Sequence, residues 1–524
     1  MSPQDRESLR AAEVIAPVCL ATDLGMGFPL EHGLHATLMA TRFCDLIDVD
    51  QDTKRRVYYA SMLMYTGCTS ESPMGKPILS WPRTETLVPY LFGDTLQRAR
   101  GILRTIPPHD GSFVSRAVET ARRVPRVITN VREQQTAICE VAEMLSARLG
   151  LPDDIHGLFA FLTERWDGKS VLRRARGDEI PLEVRIVVMI RDLAFQRHWR
   201  GEDHAIECTH ARSGQAYDPT LADAFLTHAG EVFAVLEHEE SSWAAVLHSE
   251  PKPWLILEDE AIDRALAAMG DFADLVSPSL SGHSRSLAGL VTEAARVAGM
   301  SHPETAELRR AAFVHDVGRV AVPSTIWEKP KPLSRDEQEQ VRLHPYHTDR
   351  VLTGSPFFDP IRLIARDHHE NLDGSGYHRG IEAPALGAQA RLLAAADRFQ
   401  ALTEPRAYRE ALAGHEAARL LARVAEEGAL DPAAVTAVVE AAGHAVPPMG
   451  RPAGLTAREA QVVGLLARGL QTKQVATALG ISPKTADTHI QSAYRKMGVS
   501  ARSGATLYAM GNGLVASGEL PMAD

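Results

Sequence analysis

Two stretches of this chain repeat one another at a fixed distance, and the repeat constrains the fold more than any other feature. Asp23-Leu24 stands nine residues before His32, and Asp274-Leu275 stands nine before His283. A further step of 32 residues leads from His32 to Met64-Tyr65 and from His283 to His315-Asp316, so the offset is 251 throughout. Later, Thr163 to Gly168 and Val184 to Val187 echo His369 to Gly374 and Ala390 to Leu393 at an offset of 206. The first copy therefore holds 251 − 206 = 45 extra residues, assigned to the polar, Pro-containing stretch from Thr69 to Arg126. The 524 residues are thus expected to form two copies of one domain plus a short tail.

Ala, Leu, Arg and Glu recur in helix-like blocks, and with 45% hydrophobic, 23% charged and 6% aromatic residues the expectation is an all-α globular protein. Prolines break helical patterning at Ser249 to Trp254 and again at Val446 to Gly454. The units read as a degenerate copy over 12–248, an intact copy over 258–445 and a tail over 451–517. Five cysteines without a C-x-x-C spacing (Cys19, Cys44, Cys68, Cys139, Cys208) read as small buried thiols, not as a disulfide framework or zinc finger. A polar, mixed-charge N-terminus and the lack of an apolar run of about 18 residues predict neither a signal peptide nor a membrane span, hence a cytoplasmic protein.

The second copy concentrates His283, His315-Asp316, His344, His368-His369 and Asp397. Neutral imidazole and carboxylate suit divalent metals such as Fe or Mn, and five histidines with two aspartates exceed what one ion needs. Two ions sharing a carboxylate are the natural stoichiometry. The motifs His315 to Pro323, Lys329 to Ser334, His344-Pro345, His368 to Tyr377, Ala396-Asp397 and Leu402 to Arg409 resemble the HD-GYP subgroup of HD-superfamily phosphohydrolases over about Leu275 to Ala411.

The resemblance implies a helical phosphodiesterase that opens cyclic di-GMP on a metal pair held by His283, His315, Asp316, His344, His368, His369 and Asp397. Asp316 and Arg319 take the catalytic roles, and Arg319, Tyr377, Arg406 and Arg409 bind substrate. Two metals about 3.5–4 Å apart polarise the anionic diester and acidify water, while guanidinium forks suit phosphate oxygens. The chain departs from the pattern at Arg319, where Lys is usual, at His378, where Pro follows Gly-Tyr, and at Ser279, where some members carry a Glu for a third metal. In the first copy only His32 survives, with Met64-Tyr65, Leu162-Thr163 and Arg191 at the other ligand positions, so that copy is expected to hold no metal pair and to serve as a dimerisation, regulatory or ligand-sensing scaffold. His109-Asp110, next to Pro107-Pro108 and Gly111, reads as a loop coincidence.

The net charge of −11 conceals an asymmetry. From Arg451 onward there are eight Lys and Arg against four acids, or +4, which leaves −11 − 4 = −15 on the rest. In this basic tail Thr456 and Glu459 form a capping box, Gly469 closes the first helix, Thr472 to Leu479 makes a second, and Ser482-Pro483 opens a third. Ala486, Ile490, Ala493 and Met497 fall on one face of that third helix, which turns Asp487, Thr488, Gln491 and Arg495 outward. The pattern is a helix-turn-helix, with Lys473, Lys484 and Lys496 available to phosphates.

Leu455 to Glu459, Gly469, Lys473, Ala476, Gly480 to Thr485, His489, Lys496 to Gly498 and Arg502 resemble a four-helix LuxR-type DNA-binding domain. The resemblance places Lys473, Lys484, Thr485, Asp487, Thr488, Gln491 and Lys496 against double-stranded DNA, and short half-sites imply a homodimer. The leading reading is a transcriptional regulator whose second lobe hydrolyses a cyclic dinucleotide. The alternatives are a non-catalytic nucleotide sensor and a hydrolase of other phosphoesters.

Overall fold

The structure is a computed structural model that describes residues 8–68, 90, 92–93, 97, 101, 113–237, 241–447, 452–512 and 514–515. Most of the stretch given the 45 extra residues, and His109-Asp110, lie outside the described residues. About 69% of the chain is helical, and the strands found among the described residues are two three-residue segments, β1 (Ser8–Arg10) and β2 (Ile256–Glu258), paired antiparallel. The all-α expectation holds. Among the described residues no helix is long and apolar enough to cross a membrane. The five cysteines are free, and four of them are buried.

Two compact units are resolved: one takes in 1–281, 317–329 and 350–359, the other 282–316, 330–349 and 360–524. The first contains α1 (Ala11–Met26), α2 (His32–Leu46), α3 (Gln51–Leu63), α4 (Phe113–Arg148), α5 (Leu182–Arg200), α6 (Glu202–Arg212), α7 (Pro219–Phe233), α8 (Ser242–Ser249) and α9 (Asp259–Asp274). Further along the chain come α10 (His283–Val297), α11 (His302–Val314), α12 (Arg335–Arg342), α13 (His344–Leu352), α14 (Phe358–Arg366), α15 (Ala388–Thr403), α16 (Gly414–Glu426) and α17 (Pro432–Ala441).

The repeat is visible in local structure. His32 and His283 each open a helix after a residue in the left-handed region, Glu31 at φ +74° and Gly282 at φ +80°. Met64 and His315 each end the next helix, and a 3-10 turn follows at Thr66–Cys68 and at Val317–Ala321. In the first unit α2 packs on α3 and α5; in the second α10 packs on α11 and α15. Arg191 on α5 and Asp397 on α15 therefore occupy equivalent places, as the 206 offset requires.

The tail folds as α18 (Ala457–Ala467), α19 (Thr472–Leu479), α20 (Pro483–Met497) and α21 (Arg502–Gly511). The expected stripe Ala486, Ile490, Ala493 and Met497 is the buried face of α20. Ala486 and Ile490 close on Val462, Leu466, Val475 and Ala476, while Ala493 and Met497 close on Leu455, Val463, Ala505 and Ala509. Gly480 and Gly498 end α19 and α20 in the left-handed region, at φ +63° and +68°, where a side chain is strained.

Glu459 ties the tail together. Its carboxylate accepts from Thr456 N at 2.6 Å, Ser492 Oγ at 2.6 Å and Lys496 Nζ at 2.7 Å. Burial would raise this carboxyl from its ordinary 4.5, but the hydrogen bonds from Lys496, Ser492 and Thr456 prevail and hold it at about 2. A carboxyl held down in the fold adds stability above its unfolded value and loses it as pH falls through the folded one. Acid melts followed by circular dichroism should show the tail losing stability between about pH 4.5 and pH 2. Glu459→Gln should flatten that window, and an unchanged acid profile in the variant would remove Glu459 as its cause.

Candidate metal centre and nucleic-acid interface

Four of the candidate ligand histidines are set by helix ends. His315 caps α11 and sends Nδ1 to the Ala312 carbonyl at 2.8 Å; His344 opens α13 and sends Nδ1 to Val341 O at 2.6 Å; His368 follows α14 and sends Nδ1 to Ala365 O at 2.6 Å. A carbonyl only accepts, so each Nδ1 carries the hydrogen and each neutral ring presents a bare Nε2 lone pair. The i−3 carbonyl of the preceding turn thus aims the opposite nitrogen inward. His283 does the same through a carboxylate, with Nδ1 2.9 Å from Glu404 Oε2.

The inward atoms fall into two groups, His283 with His315, Asp316 and Asp397, and His344 with His368 and His369, the atoms within each lying within 4.8 Å of one another. Asp316 faces both. Its Oδ2 is 2.8 Å from His315 Nε2 and 3.7 Å from His283 Nε2, and its Oδ1 is 3.2 Å from His344 Nε2 and 3.5 Å from His368 Nε2. Asp397 is placed likewise, with Oδ1 3.2 Å from His283 Nε2 and Oδ2 3.9 Å from His369 Nδ1. All seven expected ligands converge, and six of them are buried.

The donor set fits a metal. The Nε2 lone pairs of His344 and His368 face each other at 3.3 Å, an arrangement that needs a cation between them. His315 Nε2 and Asp397 Oδ1 are fully buried, and the polar atoms against them belong to the same set, Asp316 Oδ2 at 2.8 Å and His283 Nε2 at 3.2 Å. Burial pulls the His315 imidazole down, yet Asp316 and Asp397 overcome it and hold it at about 10, which measures the pull on any cation placed there. Burial and the neighbouring His368 hold His369 well below its ordinary value, in the neutral form that ligates. Burial would raise Asp397, but His283 and His315 hold it well below the usual carboxylate range.

The other expected site residues divide. The Tyr377 ring lies 4.7 Å from that of His369, at the edge of the ligand set. Arg406 donates to Glu404 Oε2 at 2.9 Å and so supports the carboxylate that orients His283. Arg409 is engaged locally. Its guanidinium donates to Leu402 O at 2.8 Å and Ala401 O at 2.6 Å, which caps the C-terminus of α15 and spends on backbone the donors expected at a phosphate. Arg319, in the first compact unit, is buried with its guanidinium 5.3 Å from the Trp327 ring centroid. Ser279 is held by Ser277 Oγ at 2.8 Å, in the same unit.

Sequence reasoning missed four supports. Glu404 sits inside a quoted motif but received no role. Glu370 is buried and its carboxylate gathers Arg379 N at 2.7 Å, Gly380 N at 3.3 Å and Ile381 N at 3.1 Å, which folds the loop after His369 back on itself. A Cβ at Gly376 would lie 2.4 Å from Asn371 N and 2.5 Å from Glu370 Cα, so only glycine fits that loop. Arg342 places its guanidinium 5.1 Å over the Tyr377 ring. Glu404→Gln should weaken metal retention about 10–100-fold, because the His283 ring loses its orienting partner. A chelator titration followed by metal analysis reads this directly, and unchanged retention would make Glu404 irrelevant to the centre.

In the tail, Lys473 on α19 and Lys484, Thr485, Asp487, Thr488 and Gln491 on α20 are exposed. Lys484 to Gln491 share the face opposite the buried stripe. Lys496 is exposed as well, and its ammonium is bound to Glu459 Oε2 at 2.7 Å and to Gly454 O at 3.0 Å, so it also holds the tail together.

Comparison with known proteins accords with this arrangement. Residues 268–434 match the HD domain family, and residues 453–509 match the bacterial regulatory proteins of the luxR family. The chain is 25% identical to the 3'3'-cGAMP-specific phosphodiesterase 3 of Vibrio cholerae, over 76% of this chain and 88% of that protein. It is 40% identical to the cyclic di-GMP phosphodiesterase response regulator RpfG of Xanthomonas campestris, over 24% of this chain and 33% of that one. The fold resembles the crystal structure of a cyclic GMP-AMP-specific phosphodiesterase of V. cholerae, with a TM-score of 0.58 and 22% identity over 84% of this chain and 99% of that one. The protein thus joins an HD domain that carries the converged histidines and aspartates to a C-terminal luxR-family DNA-binding domain.

Proposed function

We propose that the second lobe holds two divalent transition-metal ions and hydrolyses a phosphodiester bond of a cyclic dinucleotide, cyclic di-GMP first, and that the tail binds double-stranded DNA as part of a homodimeric transcriptional regulator. One observation carries the enzyme reading: Asp316 and Asp397 each turn one oxygen to the His283–His315 group and the other to the second group of histidines. Two ions would be held there by Asp316 and Asp397 together with His283 and His315 on one side and His344, His368 and His369 on the other.

A metal pair supplies Lewis-acid polarisation of the diester and an acidified water. The chain supplies the rest. The i−3 carbonyls lock three imidazoles in the ligating tautomer, Glu404 locks the fourth, and burial keeps bulk water from competing for the lone pairs. Tyr377, tilted against the His369 ring beneath the Arg342 guanidinium, would border the bound nucleotide, and Arg406, beside Glu404, would add a cation for the phosphates. The relatives named for cyclic di-GMP and for 3'3'-cGAMP support a cyclic dinucleotide as the substrate class.

The test is a turnover panel. Protein loaded with Mn or Fe is incubated with cyclic di-GMP, 3'3'-cGAMP and a simple phosphodiester, and products are separated by chromatography. Linear dinucleotide or mononucleotide is expected from a cyclic dinucleotide. Turnover no greater than that of a His315→Ala, Asp316→Ala control with every metal would overturn the enzyme reading, and nucleotide recovered intact from the protein would make the lobe a sensor.

A further inference from the structure

The first lobe keeps a cavity beside its surviving histidine. It has a volume of about 90 Å³ and is lined by Pro29, Leu30, Met39, Ala194 and Leu236 on its apolar side and by His32, His35, Arg197 and His198 on the other. No acidic side chain lines it. His32 is buried, packed 4.9 Å from the Phe28 ring and 6.0 Å from Phe195, and its Nε2 has no hydrogen-bond partner among the described residues.

Next to His32 lies a fixed cation. Arg191 is completely buried, its guanidinium sits 4.6 Å over the Tyr65 ring, and none of its three nitrogens has a hydrogen-bond partner among the described residues. By the repeat, Arg191 and Tyr65 stand where Asp397 and Asp316 stand in the other lobe. Two spanning carboxylates have become a guanidinium and a phenol, so a site that attracts cations has become one that attracts anions.

The acids nearby offset this charge only in part. Asp23 accepts from Gly33 N at 2.9 Å, and burial, against the pull of Arg191, pushes its carboxyl up to about 7. Glu31 reaches His35 only through the Ser242 hydroxyl, 3.0 Å from one and 2.9 Å from the other. Glu202 pairs with Arg197 at 3.0 Å and is half exposed, which makes it a displaceable partner. Burial and then Arg191 keep His32 well below its ordinary value, and burial with Arg197 and His198 lowers His35 against Glu31.

We infer that this cavity binds a small oxyanion of the phosphate class, held by Arg197 and the imidazoles of His32 and His198, in the field of Arg191. A guanidinium fork and ring N–H groups match a tetrahedral anion that offers several acceptors. A water needs roughly 10–15 Å³ of such space, so the cavity has room for a phosphate-sized group. The inference is independent of the activity proposed for the second lobe.

Met39 lines the cavity and reports on it alone. The full chain, labelled with ¹³C-methyl methionine and with Met39 assigned through Met39→Leu, is titrated with inorganic phosphate and separately with guanosine monophosphate. A saturable shift of the Met39 signal is expected, weakened at least about tenfold by combined Arg197→Gln and His198→Gln, as loss of charge-assisted hydrogen bonds requires. Saturation by phosphate identifies a free anion as the ligand; saturation by the monophosphate alone identifies a nucleotide that carries it. A Met39 signal unmoved by either up to about 10 mM, ten times the dissociation constant of a weak site, overturns the inference, and so does an equal shift in the double variant.

Discussion

Asp316→Asn is expected to lower turnover of the cyclic dinucleotide by about 10³-fold or more, with metal content falling from two ions per chain to one or fewer. The substitution keeps the size of the side chain but replaces one oxygen with an amide that donates. That amide would face either His315 Nε2, 2.8 Å away, or His344 and His368, 3.2 and 3.5 Å away, all of which aim at the same centre. Loss of the shared negative charge removes several kcal/mol of transition-state stabilisation, and roughly 4 kcal/mol corresponds to about 10³ in rate. The fall should be in kcat and not in KM alone, because Asp316 acts on the ions and not on the bases or ribose. Elemental analysis with steady-state kinetics checks both halves. A variant that keeps two ions and turns over within tenfold of the parent would mean that Asp316 does not span the pair.

The ligand set was legible because its residue types are rare in combination and their spacing survives duplication. His283, His315, Asp316, His344, His368, His369 and Asp397 all converge as the motifs implied. The supporting contacts were not legible, for a physical reason: they depend on where a helix stops. Whether Arg409 meets a phosphate or the carbonyls of Ala401 and Leu402 is decided by the C-terminus of α15, and periodicity gives helix ends only to within a turn. Glu404 was hidden in the same way, since its value comes from the approach of His283, more than a hundred residues upstream. In the first lobe the loss of ligands was plain, but not that Arg191 and Tyr65 would meet as a cation over a ring.

Lys496 shows the same limit in the tail, and it reshapes the DNA-binding prediction. The turn of α20 puts Lys496 near the exposed face, but the capping carboxylate of Glu459 is buried beneath it and takes its charge. Lys473 and Lys484 are exposed and are expected to carry the phosphate contacts. Removing both with alanine in a dimer deletes about four phosphate contacts, which should reduce the slope of log affinity against log salt by about 3.6. At about 0.1 M salt that is a loss on the order of 10³ in affinity, alike for specific and nonspecific sequences. Lys496→Ala should leave the slope nearly unchanged and instead destabilise the tail by roughly 1–3 kcal/mol, because Glu459 is left buried without its cation. Binding isotherms over a salt series, set beside thermal melts of the same proteins, separate the two effects. A Lys496→Ala protein that melts normally yet loses two contacts' worth of slope would restore this lysine to the DNA. Salt-insensitive binding by the parent would remove the electrostatic basis of the interface altogether.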